Sequence, residues 1–302
     1  MAGGVGAAKL LVGLAKIVDP KELTVIGNTG DDIELHGLHI SPDLDIAAYS
    51  LAGIVDKEKG WGIQGDTFNC LNALKRFSGN EWFSLGDKDL ATHIYRTNQL
   101  KNGRTLTQIT SEISASLGLN TKILPMTDDK FETRIITKEG TMHFEEYMVK
   151  KGAKDEVLGV EFFGSENAKP AEGVVEAIET ADLVVICPSN PVVSIGTILS
   201  VKGIREALKN TKAKIVGVSP IIAGAPVKGP ADKLMRGLGC EVSAFGVAEL
   251  YVDFLDSFII DVADAPDKQR IERLGVKVKV MNTLMKSLED KVRLAKAVLE
   301  PF

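Results

Sequence analysis

Five carboxylates and two histidines fall within residues 28–45, NTGDDIELHGLHISPDLD, directly after an apolar run (22–27) that reads as a strand. Asp31 and Asp32 should project from the strand's carboxyl end, while Asp43 and Asp45, two apart, share one side if their segment is extended. Like charges this close repel one another, and a hard cation resolves the repulsion. Mg²⁺ takes one or two carboxylates and leaves its other positions to water and phosphate oxygens. A solvated acidic loop is the plain alternative, but the Gly and Pro residues here fix backbone shape. His36 and His39 offer zinc-type donors without a clear third N/S ligand nearby. Acids beside a phosphate-binding turn fit Mg-assisted phosphoryl transfer.

Such a turn precedes them. AGGVGAAK (2–9) places Gly3, Gly4 and Gly6 before a helical segment, so free N–H groups and the helix dipole can receive a phosphate. It is neither a Walker A motif nor a complete G-x-G-x-x-G. CPSNPVVSIGTI (187–198) sets Ser189 and Asn190 after a buried strand, where short polar side chains can hold a nucleotide's base or phosphates, simple turn chemistry being the alternative. Lys228, in SPIIAGAPVKGPADKLM (219–235), can neutralise a diphosphate. Trp61, between two glycines, offers a flat face to an aromatic ligand. Lys88, His93 and Arg96 fall on a helical segment whose default reading is a solvated face.

These residues need a scaffold, and the chain supplies the pattern of one. A helix-like segment (8–18), the strand at 22–27, the apolar runs at 181–191, 213–224 and 276–280, and a final amphipathic helix (288–299) alternate along the sequence. Near-continuous apolar strands between helices predict an α/β fold: a Rossmann-like, doubly wound, mainly parallel sheet. Helical segments at 67–77, 88–100 and 105–117, followed by a hairpin at the KEG turn, predict an inserted cap over 57–160, with 1–56 and 161–302 as the nucleotide- and metal-binding core. The strand expected ahead of the glycine turn has no room after Met1, so either the start lies upstream or the sheet lacks a central strand.

Composition narrows the function. The net charge of −5 gives no basic footprint for nucleic acid. No apolar run approaches the ~18 residues of a membrane span and no signal pattern opens the chain, which predicts a cytoplasmic protein. Cys70, Cys187 and Cys240 are isolated, which argues against a disulfide framework or zinc site.

Taken in order, GGVGAAKLL, NTGDD with HGL and ISPDLD, GWGI, LGDKDLATH, ICPSNPVVSIG and SPIIAGAPVKGPADKLM resemble the 2-phospho-L-lactate transferases of deazaflavin coenzyme (coenzyme F-420) biosynthesis, over essentially the whole chain. The resemblance implies a donor that is the guanosine diphosphate ester of lactate, or of phosphoenolpyruvate in some relatives, and the deazaflavin Fo as acceptor. The acceptor's ribityl hydroxyl attacks the phosphorus bearing the three-carbon acid, GMP leaves, and Mg²⁺ is required. By the same resemblance Asp31 and Asp45 hold Mg²⁺, with Asp43 or Asp32 as acid or base. The resemblance equally allows Asp45 as the base on the Fo hydroxyl, and both roles stay open. The Gly3–Gly6 turn, Asn28, Ser189, Asn190 and Lys228 would hold the nucleotide; Lys88, Trp61 and His93 would join Asp45 around Fo. A homodimer is implied as well. Ile46 stands where the family usually has Thr, which removes a hydroxyl beside the expected metal site; if that hydroxyl positions the acceptor, weak activity follows. A nucleotide-sugar-binding regulatory protein of the same fold, without chemistry, is the rival reading. A nicotinamide dehydrogenase is disfavoured by the incomplete glycine spacing.

Overall fold

Apolar runs without polar alternation become strands buried on both faces, and here they pair in parallel. The structure, a computed structural model, describes residues 1–78 and 82–300. Strand β1 (Thr24–Gly27) pairs with β4 (Lys122–Pro125), while β8 (Leu183–Ile186), β9 (Lys214–Val218), β12 (Ser257–Ile260) and β13 (Lys277–Val280) lie side by side. Met1 and Ala2 join the two groups. Ala2 donates to the Ile26 carbonyl and accepts from Asn28, while the Met1 amino group donates to the Val185 carbonyl at 2.7 Å and the Met1 carbonyl accepts from Cys187. The position expected for a strand ahead of the glycine turn is thus held by these two residues. Burial pushes the Met1 amino group below its ordinary pKa.

The resulting order is β4, β1, Met1–Ala2, β8, β9, β12, β13, all parallel. The progression reverses beside Met1–Ala2, and doubly wound sheets open their ligand crevice at such a reversal.

Strand alternation divides the core in two. Ile26, Ile215 and Phe258 face one cluster with the helices α6 (Val174–Glu179), α8 (Ile204–Asn210), α9 (Ala231–Gly237) and α10 (Ala244–Tyr251). Their neighbours Val25, Val216 and Ile259 face a second cluster with α1 (Gly4–Leu14), α2 (Pro42–Leu51) and α12 (Leu288–Leu299). Shorter pieces, α7 (Thr197–Ser200), α11 (Lys268–Glu272) and the ribbon of β10 (Ile221–Ile222) with β11 (Ala225–Pro226), complete the connections.

The block read as an insert is two excursions. After the hairpin β2 (Ile33–Leu35) and β3 (Leu38–Ile40), and after α2, the chain leaves for α3 (Asn69–Ser78), α4 (Asp87–Lys101) and α5 (Leu106–Ser116). It returns to the parallel sheet at β4, a four-residue strand within the expected insert. It then leaves again for β5 (Glu132–Thr137), which pairs antiparallel with β6 (Gly140–His143) across the expected KEG turn and with β7 (Gly159–Phe163). Among the described residues no helix is long and apolar enough to cross a membrane.

Helices α1 and α12 pack so closely that a Cβ on Gly13 would overlap the Lys291 carbonyl. Gly13→Ala is therefore expected to destabilise the fold by about 1–3 kcal/mol, read as an earlier urea midpoint; an unchanged midpoint would contradict this packing.

Candidate active site

A cleft of about 520 Å³ opens at the topological switch point, between the glycine turn, the start of α2, the loops after β8 and β9, and the segment after β6. Gly3, Gly4, Gly6, Asp31, Asp43, Asp45, Trp61, His93, Ser189, Asn190 and Lys228 all line it.

The glycine turn is closed on its neighbours. Gly3 N donates to Ser189 Oγ at 3.1 Å and Gly4 N to Asp43 Oδ1 at 2.7 Å. Gly4 has φ +69°, the left-handed region that favours glycine, and a Cβ on Gly3 would lie 2.6 Å from Ser194 Cβ. A Cβ on Gly6 would overlap the Pro188 carbonyl. Opposite, residues Pro191–Gly196 wind as a π-helix, capped by Asn190 Oδ1 accepting from Val192 N at 3.0 Å and Val193 N at 3.3 Å. Irregular turns of this kind recur at functional sites.

Asp43 and Asp45 do not share a face. Pro42 opens helix α2, and residues two apart on a helix point about 200° away from each other. Asp43 turns to the glycine turn, where its Oδ2 also accepts from Asn28 Nδ2 at 2.9 Å. Asp45 turns the other way, to Arg96 on α4. Ser41-Pro42 with acids in the next turn is a helix-start signature that the sequence carries.

Around Asp43 gathers a group of buried acids. Burial raises Asp31, and the charges of Asp43, Glu145 and Asp32 raise it further against a hydrogen bond from Thr133. Asp43 is pushed up to about 6, mainly by burial, with Asn28 and Gly4 opposing. Glu145, just after β6, is pushed up to about 8 by burial and then by Asp43 and Asp32. Asp31 Oδ1 and Asp32 Oδ1 are buried without a hydrogen-bond partner. Glu145 lines the same cleft. It was not among the residues singled out from sequence, where a glutamate at the end of a hairpin reads as surface.

Several expected ligand-contacting side chains are occupied with the scaffold. Asn28 is fully buried, donating to Asp43 and to the Val193 carbonyl and accepting from Gly30 N, and it does not line the cleft. Asp32 Oδ2 accepts from Ser41 Oγ at 2.7 Å and meets His39 Nε2 at 2.9 Å. Lys88 Nζ donates to the Gln64 and Gly65 carbonyls and also lies off the cleft wall. Ile46 lines the cleft with an apolar side chain.

The opposite end of the charge balance comes from lysines. Lys9, one helical turn beyond the glycine turn, lines the cleft with Lys228, and Lys228 is lowered by burial and by the Lys9 charge. Phe83, Phe144, Met148 and Val149 add an apolar wall beside Trp61.

A doubly wound α/β sheet with an acid-lined crevice at its switch point is a common host for phosphate chemistry. Residues 1–295 match the family described as 2-phospho-L-lactate transferase CofD. The chain is 45% identical to a 2-phospho-L-lactate transferase of Methanosarcina mazei, over 99% of this chain and 98% of that protein. It is 44% identical to a phosphoenolpyruvate transferase of Kitasatospora aureofaciens, over 99% of this chain and 95% of that protein. A crystal structure of a UPF0052 family protein from Bacillus halodurans superposes with a TM-score of 0.66 at 17% identity, covering 99% of this chain and 97% of that one, a likeness of fold. The chain belongs to the CofD family of transferases.

The raised acids fix a pH dependence. A carboxyl held above its unfolded pKa binds protons more tightly when folded, so its contribution falls as pH climbs from the ordinary carboxylate range through about 6 for Asp43 and about 8 for Glu145. In chelator, the melting temperature should drop between pH 5 and pH 8.5. Glu145→Gln should raise it at pH 8.5 by about 2 °C or more and leave it unchanged at pH 5; identical melting of variant and parent at both pH values would contradict the repulsion.

Proposed function

We propose that the protein transfers a 2-phospholactyl or enolpyruvyl phosphate group from its guanosine diphosphate ester to the ribityl hydroxyl of the deazaflavin Fo, releasing GMP. The observation that carries this reading is one cleft that combines a glycine turn, two lysines, a group of buried acids short of hydrogen-bond partners and an apolar aromatic wall. Each part suits one portion of the two substrates. The glycine turn, the Ser189–Asn190 loop, Lys9 and Lys228 would take the donor's diphosphate. Trp61, Phe83 and Phe144 would face the flat deazaflavin.

The donor set also fits Mg²⁺. Buried oxygens on Asp31 and Asp32 lack donors, and carboxylates raised by one another's charge are relieved by a divalent cation. Asp31 and Asp43 would hold the ion, with Glu145 beside them; Asp45, expected from the resemblance as the second ligand, is instead paired with Arg96. When bound, the ion supplies charge neutralisation to the diphosphate and to the departing GMP. Asp45, free of that duty, is the base: its Oδ2 takes the proton of the ribityl hydroxyl as oxygen bonds to the phosphorus bearing the three-carbon acid. The bond from that phosphorus to the GMP oxygen breaks, and the electron pair leaves with GMP. Relatives bearing the lactyl and the enolpyruvyl name match almost equally, so both donors belong in the test.

Purified protein with Fo, Mg²⁺ and each donor in turn should give the phosphodiester and GMP by mass spectrometry. Asp43→Asn, which weakens the hold on both cation and glycine turn, should lower kcat/KM by about 100-fold or more. No product from either donor, in a folded protein, would contradict the reading; full activity in Asp43→Asn would contradict the assigned role.

A further inference from the structure

Arg96 is 1% exposed, the largest wholly buried side chain among the described residues, and lies behind the cleft wall instead of on it. Its guanidinium is spent almost entirely on one neighbourhood. Nη2 donates to Asp45 Oδ1; Nη1 lies 3.2 Å from His93 Nδ1 and 3.5 Å from the His39 carbonyl. A guanidinium cannot accept a hydrogen bond, so the contact makes His93 Nδ1 the acceptor. The ring proton then sits on Nε2, which faces Asp89 Oδ1 at 3.4 Å. Asp89 is anchored in turn by the Tyr49 hydroxyl at 2.8 Å.

Three buried atoms of this arrangement have no hydrogen-bond partner, Arg96 Nε, His93 Nε2 and Asp45 Oδ2, and with the ring proton on Nε2 only Asp45 Oδ2 is an acceptor. Asp45 Oδ2 is buried, has no hydrogen-bond partner, and belongs to a residue lining the cleft; the nearest polar group described for it is His93 Nδ1 at 3.7 Å. Ligand atoms of Asp45, Asp89 and His93 do lie within 4.8 Å of one another, a spacing that would suit a metal ion. The guanidinium already bound to Asp45 opposes a second cation there.

We propose that Arg96 is a positioning residue for the transfer: it fixes Asp45 through Oδ1 so that Oδ2 meets the attacking hydroxyl of the acceptor. The inference rests on the function proposed above. It gives α4, an element outside the parallel sheet, control over the acceptor's approach, while the glycine turn and the Asp31–Asp43 group govern the donor. The competing account is a purely structural ion pair joining α4 to α2.

Arg96→Lys separates the two accounts, because it keeps the buried charge and loses the planar fork that reaches Asp45 and His93 together. The expected result is a fall in kcat of about 100-fold, with donor KM, GDP affinity and melting temperature near those of the parent. In Arg96→Ala, added methylguanidinium should restore turnover where methylammonium does not. A kcat within about threefold of the parent in a folded Arg96→Lys protein would overturn the inference, and so would a joint fall of kcat, GDP affinity and melting temperature. An inactive parent protein would overturn the transferase reading and, with it, this inference; an active parent with an unaffected variant overturns the inference alone.

Discussion

Buried carboxylates that face one another without a cation raise the free energy of the folded state, and the cleft is organised around that repulsion. Asp43 raises the pKa of both Asp31 and Glu145, Glu145 raises that of Asp31 as well, and Asp31 Oδ1 is buried without a donor. A structure tolerates such crowding when surrounding contacts over-determine it. Asn28 clamps Asp43 to the π-helical turn through the Val193 carbonyl, and the Gly4 N–H fixes Asp43's other oxygen. The same carboxylate therefore both shapes the glycine turn and faces the cleft.

A second division of labour follows from helix geometry. Because Pro42 starts a helix, the two acids of PDLD diverge: Asp43 serves the sheet side, where the nucleotide end of a donor would rest, and Asp45 serves α4. Had the segment been extended, both would face one ion. The helical phase separates the acid proposed to hold the cation from one paired with a guanidinium; burial raises the Asp45 carboxyl above its ordinary pKa, and Arg96 and His93 oppose that rise.

The parallel sheet was legible because strands buried on both faces leave near-continuous apolar runs, as in LVVI and KIVGV. Four-residue strands carry much less signal: KILP at β4 lies between a helix and a hairpin, and its pairing with β1 is a long-range fact that local pattern does not hold. The placement of Gly3–Gly6, Asp31 and Ser189 on one cleft follows from their position at strand ends, which the sequence pattern contains; Trp61, in the loop between α2 and α3, reaches it by a long-range approach that the pattern does not hold. Arg96 was hidden for a different reason. Helix α4 is polar on most faces, and only the tertiary covering by β3, with Asp45 of α2 against the guanidinium, makes its single arginine a core residue. Lys88 illustrates the converse, a cation expected at a ligand that is engaged by two backbone carbonyls of its own chain.

The central claim, that the acids of the cleft form a divalent-cation site shared with a diphosphate, is tested most directly by titrating Mn²⁺ into the protein and following free Mn²⁺ by electron paramagnetic resonance, with and without GDP. The account predicts loss of the free-ion signal at one equivalent, tighter in the presence of GDP and abolished by Asp31→Asn. Binding that is absent, or that is unchanged by both GDP and Asp31→Asn, would contradict it.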